Sequence, residues 1–295
     1  MSKNKVGKNI MNDEENLALK SGFIGEKKRD ASSSIRGFVY QNLLAIEELI
    51  KENTQYNNLE IPQNKEEQKQ LLRSLMNIRF ACPISDEFKQ IQDEYLTEEN
   101  KNRGIIQLKD LSEIKKDIYL WQGDITRLKV SAIVNAANSG MTGCYQPCHN
   151  CIDNCIHTYA GIQLRNYCNT MMKKQGHEEP TGQAKITSAY NLPADYVIHT
   201  VGPIVHGGFL QKRHEKLLES CYRSCLEIAE EHKLESIAFC CISTGVFMFP
   251  NERAAEIAVK TVQKFKEEAN SKIKVIFNVF KDEDLEIYWR LLCTK

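Results

Sequence analysis

Val134-Asn135-Ala136-Ala137-Asn138 is the stretch from which the rest of this chain can be read. It leaves an apolar run that begins at Ala132 and reads as a buried strand, and it ends that run with two amides around two small residues. Alanines let the backbone approach a ligand, while asparagine side chains both donate and accept hydrogen bonds, a mixture that suits sugar hydroxyls. The competing reading is a turn in which both amides bond only to backbone.

Outward from this stretch, short apolar runs alternate with amphipathic segments. Strand-like runs lie at 118–121, 132–134, 184–187, 196–199, 236–241 and 274–279, with helical segments at 153–174, 214–232, 251–268 and 283–292. In 214–232, Leu217, Leu218, Cys221, Cys225 and Ile228 share one side at the helical period. Ala254, Ile257, Ala258, Val262 and Phe265 do the same in 251–268. The alternation predicts an α/β fold, a sheet with helices on both faces. In such sheets ligands bind beyond the carboxyl ends of the strands.

Upstream, residues 1–35 are polar and charged and are expected to form a poorly ordered tail. From 36 to 116 the pattern is helical. Leu43, Leu44, Ile46, Leu49 and Ile50 make one stripe, Leu71, Leu72, Leu75, Met76 and Ile78 a second, and Asp86 opens a third reaching Tyr95. This small helical region reads as a cap on the domain at 117–295, with a lid or a docking surface as the alternative.

The 39 Lys and Arg residues balance 39 Asp and Glu, so no basic field points to nucleic acid or to an anionic membrane. No apolar run approaches the roughly 20 residues that span a bilayer, and the N-terminus lacks the apolar core of a secretory signal. A soluble, cytoplasmic protein is expected, with its eleven cysteines reduced.

Two further loops stand at strand ends. Gly123-Asp124-Ile125-Thr126 follows the run ending at Trp121. Its acid could accept from an exocyclic amine such as that of adenine, or it could cap the next turn. Ile242-Ser243-Thr244-Gly245-Val246-Phe247 follows 236–241. A Ser-Thr-Gly turn ahead of a helix can aim backbone N–H groups and hydroxyls at a diphosphate. It is not a Walker loop, because no Gly-Lys-Ser/Thr follows.

Gly-Asp-Ile, then Val-Asn-Ala-Ala-Asn, then a strand ending in Ser-Thr-Gly resembles the macrodomain family over about 118–292. The stretch Val197-Ile198-His199-Thr200-Val201-Gly202-Pro203 belongs to the same resemblance. What it implies is a three-layer α/β/α fold with a mixed central sheet, and a site for ADP-ribose. Asp124 and Ile125 would meet adenine, and Asn278 would border it. Asn135 and Asn138 would serve the distal ribose and its surroundings, and Ser243, Thr244, Gly245, Val246 and Phe247 the diphosphate.

One segment departs from the common macrodomain pattern, in which a glycine-rich loop follows the asparagines. Here the loop reads Gly143-Cys144-Tyr145-Gln146-Pro147-Cys148-His149-Asn150-Cys151-Ile152-Asp153. Three thiols and an imidazole so close together suit zinc. Cys144, His149 and Cys151 are the expected ligands, leaving a fourth position open; Cys148 as a ligand instead would close the site and make it structural.

The Cys-x4-His-x-Cys spacing, with Ile156-His157-Thr158-Tyr159-Ala160-Gly161 after it, resembles the zinc-dependent macrodomain subgroup that accompanies class M sirtuins. Upstream, Arg73-Ser74-Leu75-Met76-Asn77-Ile78-Arg79 and Asp93-Glu94-Tyr95-Leu96 resemble that subgroup's helical segment. The resemblance implies a hydrolase that removes mono-ADP-ribose from protein side chains, with zinc at the distal ribose. It also implies a glycine-cleavage H-like lipoyl carrier as substrate and a class M sirtuin as partner. Asp153, at the start of a helix, is either a simple cap or the group that orients or deprotonates the attacking water, with Asn138 beside it. His157 and His199 read as satisfied packing histidines, and Trp121, Cys240 and Cys241 as core. The alternatives are a non-catalytic ADP-ribose reader with a structural metal, and a hydrolase of small O-acyl-ADP-ribose esters.

Overall fold

Each strand-like run of the sequence becomes a strand in the computed structural model, which describes residues 42–51, 56 and 58–293. The expected tail at 1–35 lies outside the described residues. In chain order the strands are β1 (Ile106–Gln107), β2 (Glu113–Lys115), β3 (Ile118–Gln122), β4 (Leu128–Lys129), β5 (Ala132–Ala137), β6 (Ala184–Ser188), β7 (Tyr196–Val201), β8 (Ser236–Phe239) and β9 (Lys274–Val279). Seven of them form one sheet in the order β2-β3-β9-β8-β5-β7-β6, while β1 and β4 make a short parallel pair of their own. The five central strands run parallel, and β2 and β6 close the two edges antiparallel. Ala132, Ile133 and Val134 are fully buried, as a parallel strand covered on both faces requires.

Helices α5 (Lys212–Glu231), α6 (Asn251–Glu268) and α7 (Asp282–Cys293) lie side by side in one layer. On the other face α3 (Ile152–Ala160) packs on β5, with α4 (Ile162–Gln175) beside it. Periodicity predicts one helix over 153–174, and the structure breaks it at Gly161. That residue sits at φ 97°, ψ 171°, outside the helical region. A Cβ there would lie 2.7 Å from Gln92 Nε2, and Gln92 Oε1 accepts the orphan N–H of Ile162 at 2.9 Å. A side chain from another element thus occupies the helix axis and caps the second half.

The run 236–241 is also shorter as a strand than expected, because β8 ends at Phe239. It pairs with β5 only through Ile237 and Ala238, so the two strands part at their carboxyl ends and leave Cys240 and Cys241 in the exit loop. In open α/β sheets ligands bind beyond the carboxyl ends of strands that part in this way.

The helical region comprises residues 42–51, α1 (Lys65–Ile78) and α2 (Asp86–Asn102). Asn64 Oδ1 accepts from the N–H groups of Glu66 and Glu67, and Ser85 Oγ from that of Phe88; each cap contributes about 1 kcal/mol. Ile46, Leu49, Leu72, Leu75, Met76, Phe88 and Leu96 bury against one another and against Ile162 of α4. Most of the apolar positions in the stripes read from the sequence, though not Leu43, Leu44 or Ile78, therefore make a small second core, and α1 reaches from it onto α3.

Candidate active site

Asp153, in the first turn of α3, is the centre of the site. Asn135, within β5, donates to its Oδ1 at 2.8 Å, and Asn138, just beyond β5, donates to its Oδ2 at 3.2 Å. Burial pushes the Asp153 carboxyl up to about 6, against the opposing pull of Asn135, Arg165 and Asn138. Asn135 itself is fully buried, and its side-chain amide lies between Asp153 and His199. Asn138 is half-buried, donates also to Gly143 O, and turns Oδ1 to the N–H of Gly140.

The loop between β5 and α3 brings the donor atoms of Cys144, His149 and Cys151 within 4.8 Å of one another. Cys151 Sγ also caps α3 through the N–H of Asn154. Burial pushes the Cys151 thiol up to about 12, with Cys144 and Asp153 adding to the rise. Two thiolates and an imidazole would neutralise a divalent cation in such a setting, and the donor set fits zinc. Cys148 has its Sγ 3.2 Å from Ser74 Oγ and 3.4 Å from Gln70 O, facing α1. It does not belong to the converging set.

Several polar side chains pin this loop. Asn154 donates to Cys144 O and Gln146 O, and Asn77 accepts from the N–H of Cys148. Arg73 of α1 reaches His149 O at 2.7 Å and Asn154 Oδ1 at 3.0 Å. Arg165 donates to Thr142 O and, across the loop, to the carbonyls of Met76, Asn77 and Arg79. Gly143, at φ +85°, lies flat on His157, where a Cβ would come within 2.7 Å of the ring.

A second group of donors, His157, Cys168 and His199, also lies within 4.8 Å, but both ring nitrogens of His199 are engaged. Nδ1 accepts from Asn135 at 3.1 Å and Nε2 faces Thr187 Oγ1 at 2.9 Å. His199 is the satisfied packing histidine that the sequence suggested. His157 differs from that expectation: among the described residues neither of its ring nitrogens has a hydrogen-bond partner, and Nε2 stands 3.6 Å from Asp153 Oδ1.

Asp124 caps the turn that follows β3, accepting from Thr126 N and Thr126 Oγ1. Ile125 is buried beneath it. Asn278 is buried too and donates to Gly123 O at 2.9 Å, fastening this loop to β9. The loop after β8 holds Ser243 at φ 66° and buries it, while Thr244 Oγ1 turns back to Cys241 O. The N–H groups of Gly245, Val246 and Phe247 bond no backbone carbonyl among the described residues. Phe247 O accepts from Val205 N, tying this loop to the one after β7.

The Macro domain family model matches residues 134–258. A protein of Treponema medium named protein-ADP-ribose hydrolase is 56% identical over 256 residues, which is 85% of this chain and 98% of that protein. The chain belongs to the macrodomain family. A protein-ADP-ribose hydrolase of Staphylococcus aureus is 50% identical over 82% of this chain and 91% of its own length. The Trypanosoma brucei macrodomain in complex with ADP-ribose superposes with a TM-score of 0.58 at 29% identity, over 72% of this chain and 93% of that one.

Within this macrodomain Asn154 and Arg165, which hold the loop, and Phe280 fall in none of the three strand-end motifs that the sequence offers. The first two carry ordinary helical spacing, and nothing local signals that they hold a loop. Phe280, 75% exposed just beyond β9, is an aromatic face beside the Asp124 loop: its carbonyl accepts from Gln122, and Gly123 N donates to the preceding Val279 O.

Proposed function

We propose that this macrodomain is a hydrolase that releases mono-ADP-ribose from modified protein side chains, with zinc held at the distal ribose by Cys144, His149 and Cys151. The observation that carries the reading is Asp153, buried between Asn135 and Asn138 and directly beside the thiol–imidazole loop. The relatives of Treponema medium and Staphylococcus aureus, covered over 98% and 91% of their length, are named protein-ADP-ribose hydrolase.

In this reading adenine lies against Phe280 with its amine toward Asp124, and the diphosphate receives the N–H groups of Gly245, Val246 and Phe247. The distal ribose then reaches Asn138. Asp153 orients a water and takes its proton as the water oxygen bonds to the anomeric carbon. The bond from that carbon to the acceptor side chain breaks, and the proton passes to the departing group. A bound zinc would supply Lewis-acid polarisation at the ribose and lower the pKa of water. The acceptor class remains that of the resemblance, a glycine-cleavage H-like lipoyl carrier modified by a class M sirtuin. No helix among the described residues is long and apolar enough to cross a membrane.

The deciding experiment follows ADP-ribose release from mono-ADP-ribosylated carrier protein by wild type, a chelated sample and Cys151→Ala, with metal content measured alongside. Release that tracks bound zinc supports the reading. Stoichiometric zinc and tight ADP-ribose binding without release would make the chain a reader instead.

A further inference from the structure

The acid of the adenine loop does not stand alone. Arg103, the residue that ends α2, lies 15% exposed with its guanidinium on Asp124 Oδ2. The same Nη2 donates to Thr126 Oγ1 at 2.8 Å, and Nη1 donates to Asn100 Oδ1 at 3.0 Å. Its guanidinium carbon lies over the ring of Tyr159 of α3, 3.5 Å from the centroid. Asn100 is itself anchored, donating to Asn191 O at 2.7 Å. A guanidinium fixed on its face and along its edges has one orientation, which a flexible ammonium could not reproduce.

That orientation determines what Asp124 can offer. A carboxylate has about four acceptor positions. Two on Oδ1 are taken by Thr126 N and Thr126 Oγ1, at 3.0 and 2.6 Å, and one on Oδ2 by Arg103. The side chain is still 32% exposed, so one acceptor position faces outward. It suits a ligand group with a hydrogen to give and repels one that presents an oxygen lone pair.

We propose that Arg103 is a positioning residue which locks Asp124 as a single outward acceptor and thereby makes the site prefer an amino purine over an oxo purine. The proposal rests on the reading above that ADP-ribose occupies this cleft with its base at Asp124. It assigns the helical region a part in substrate selection, since Arg103 caps the C-terminal end of α2 and belongs to no strand-end loop.

The test compares ADP-ribose with its hypoxanthine analogue, IDP-ribose, by calorimetry on the full chain, together with kcat and KM for carriers bearing each nucleotide. Wild type should favour ADP-ribose by about tenfold or more, the usual penalty for an unpaired polar group. Arg103→Ala should shrink that ratio to about threefold or less, raising KM far more than it lowers kcat, and Arg103→Lys should fall between. In an Asp124→Asn background Arg103→Ala should leave the ratio unchanged. If Arg103→Ala folds poorly, Arg103→Lys and its combination with Asp124→Asn carry the comparison. Equal weakening of both nucleotides, with the ratio preserved, would show that Arg103 serves stability alone and overturns the proposal. A wild type that binds ADP-ribose without discriminating overturns it too while leaving hydrolysis intact. A wild type that binds neither nucleotide removes the underlying reading as well.

Discussion

Asn135 holds Asp153 from beneath: its side-chain amide donates to Asp153 Oδ1 across 2.8 Å while contributing no surface of its own. The other amide hydrogen goes to His199 Nδ1, so that nitrogen is the acceptor and Nε2 carries the ring proton toward Thr187 Oγ1. This polarity allows only one orientation of the Asn135 amide, because flipping it would set Oδ1 against the carboxylate.

Asn135→Ala should therefore act on the chemical step more than on binding. Asp153 loses one of its two amide donors and its fixed rotamer, and His199 Nδ1 loses its partner. We expect kcat to fall by roughly 10²-fold, ADP-ribose affinity to change by less than about threefold, and stability to drop by about 2 kcal/mol. Steady-state kinetics beside calorimetry separate these quantities. A loss confined to KM would mean that Asn135 meets the sugar after all.

The stability of the buried histidine carries a pH signature. Burial pushes His199 down to about 3, whereas an unfolded histidine titrates near 6.5. Between these values the unfolded chain binds a proton that the folded chain does not. The His199 contribution is thus intact above pH 6.5 and is lost as pH falls toward 3. His199→Gln keeps an acceptor for Asn135 and a donor for Thr187 but cannot titrate. Urea unfolding at pH 7 and pH 4.5 should show wild type losing about 2 kcal/mol more than the variant over that interval. Parallel losses would place the acid sensitivity elsewhere.

The alternation of strands and helices was legible because a parallel sheet covered on both faces needs continuous apolar runs, as at Ala132 to Val134. The converging thiols and imidazole were legible because soft ligands cluster within one short loop. What stayed hidden was long-range. Gln92 breaks the helix at Gly161 from 70 residues away, and periodicity carries no trace of it. The burial of Asn135 and Asn278 was hidden for a like reason: an amide at a strand end looks the same whether it faces a ligand or fastens a loop.

Arg165 is the largest of these long-range fasteners. It is 3% exposed, and its guanidinium takes the carbonyls of Thr142, Met76, Asn77 and Arg79 while lying 4.4 Å from the Tyr145 ring centroid. Arg165→Met keeps the length of the stem and leaves four carbonyls without their donor. A loss of about 3 kcal/mol or more is expected in denaturant unfolding, with zinc content falling because the α1 terminus no longer braces residues 142–145. Arg165→Lys should rescue little, since one ammonium cannot span both sides. Full zinc occupancy in a destabilised Arg165→Met would uncouple the brace from the metal loop.

The two cysteines that flank His149 in sequence should behave in opposite ways. Cys151 Sγ points into the donor set and caps α3, whereas Cys148 Sγ lies against Ser74 and Gln70 of α1. Cys151→Ser replaces a soft ligand by a poor one and should cut zinc affinity by at least about 10²-fold, with activity following. Cys148→Ser retains a small polar group that can still meet Ser74, so zinc stoichiometry and turnover should stay within about twofold of wild type. Metal analysis after dialysis against a graded series of chelators reads both variants directly. If Cys148→Ser loses zinc as readily as Cys151→Ser, the loop must rearrange to a closed four-ligand site on binding metal. The open position that the hydrolytic reading requires would then be absent.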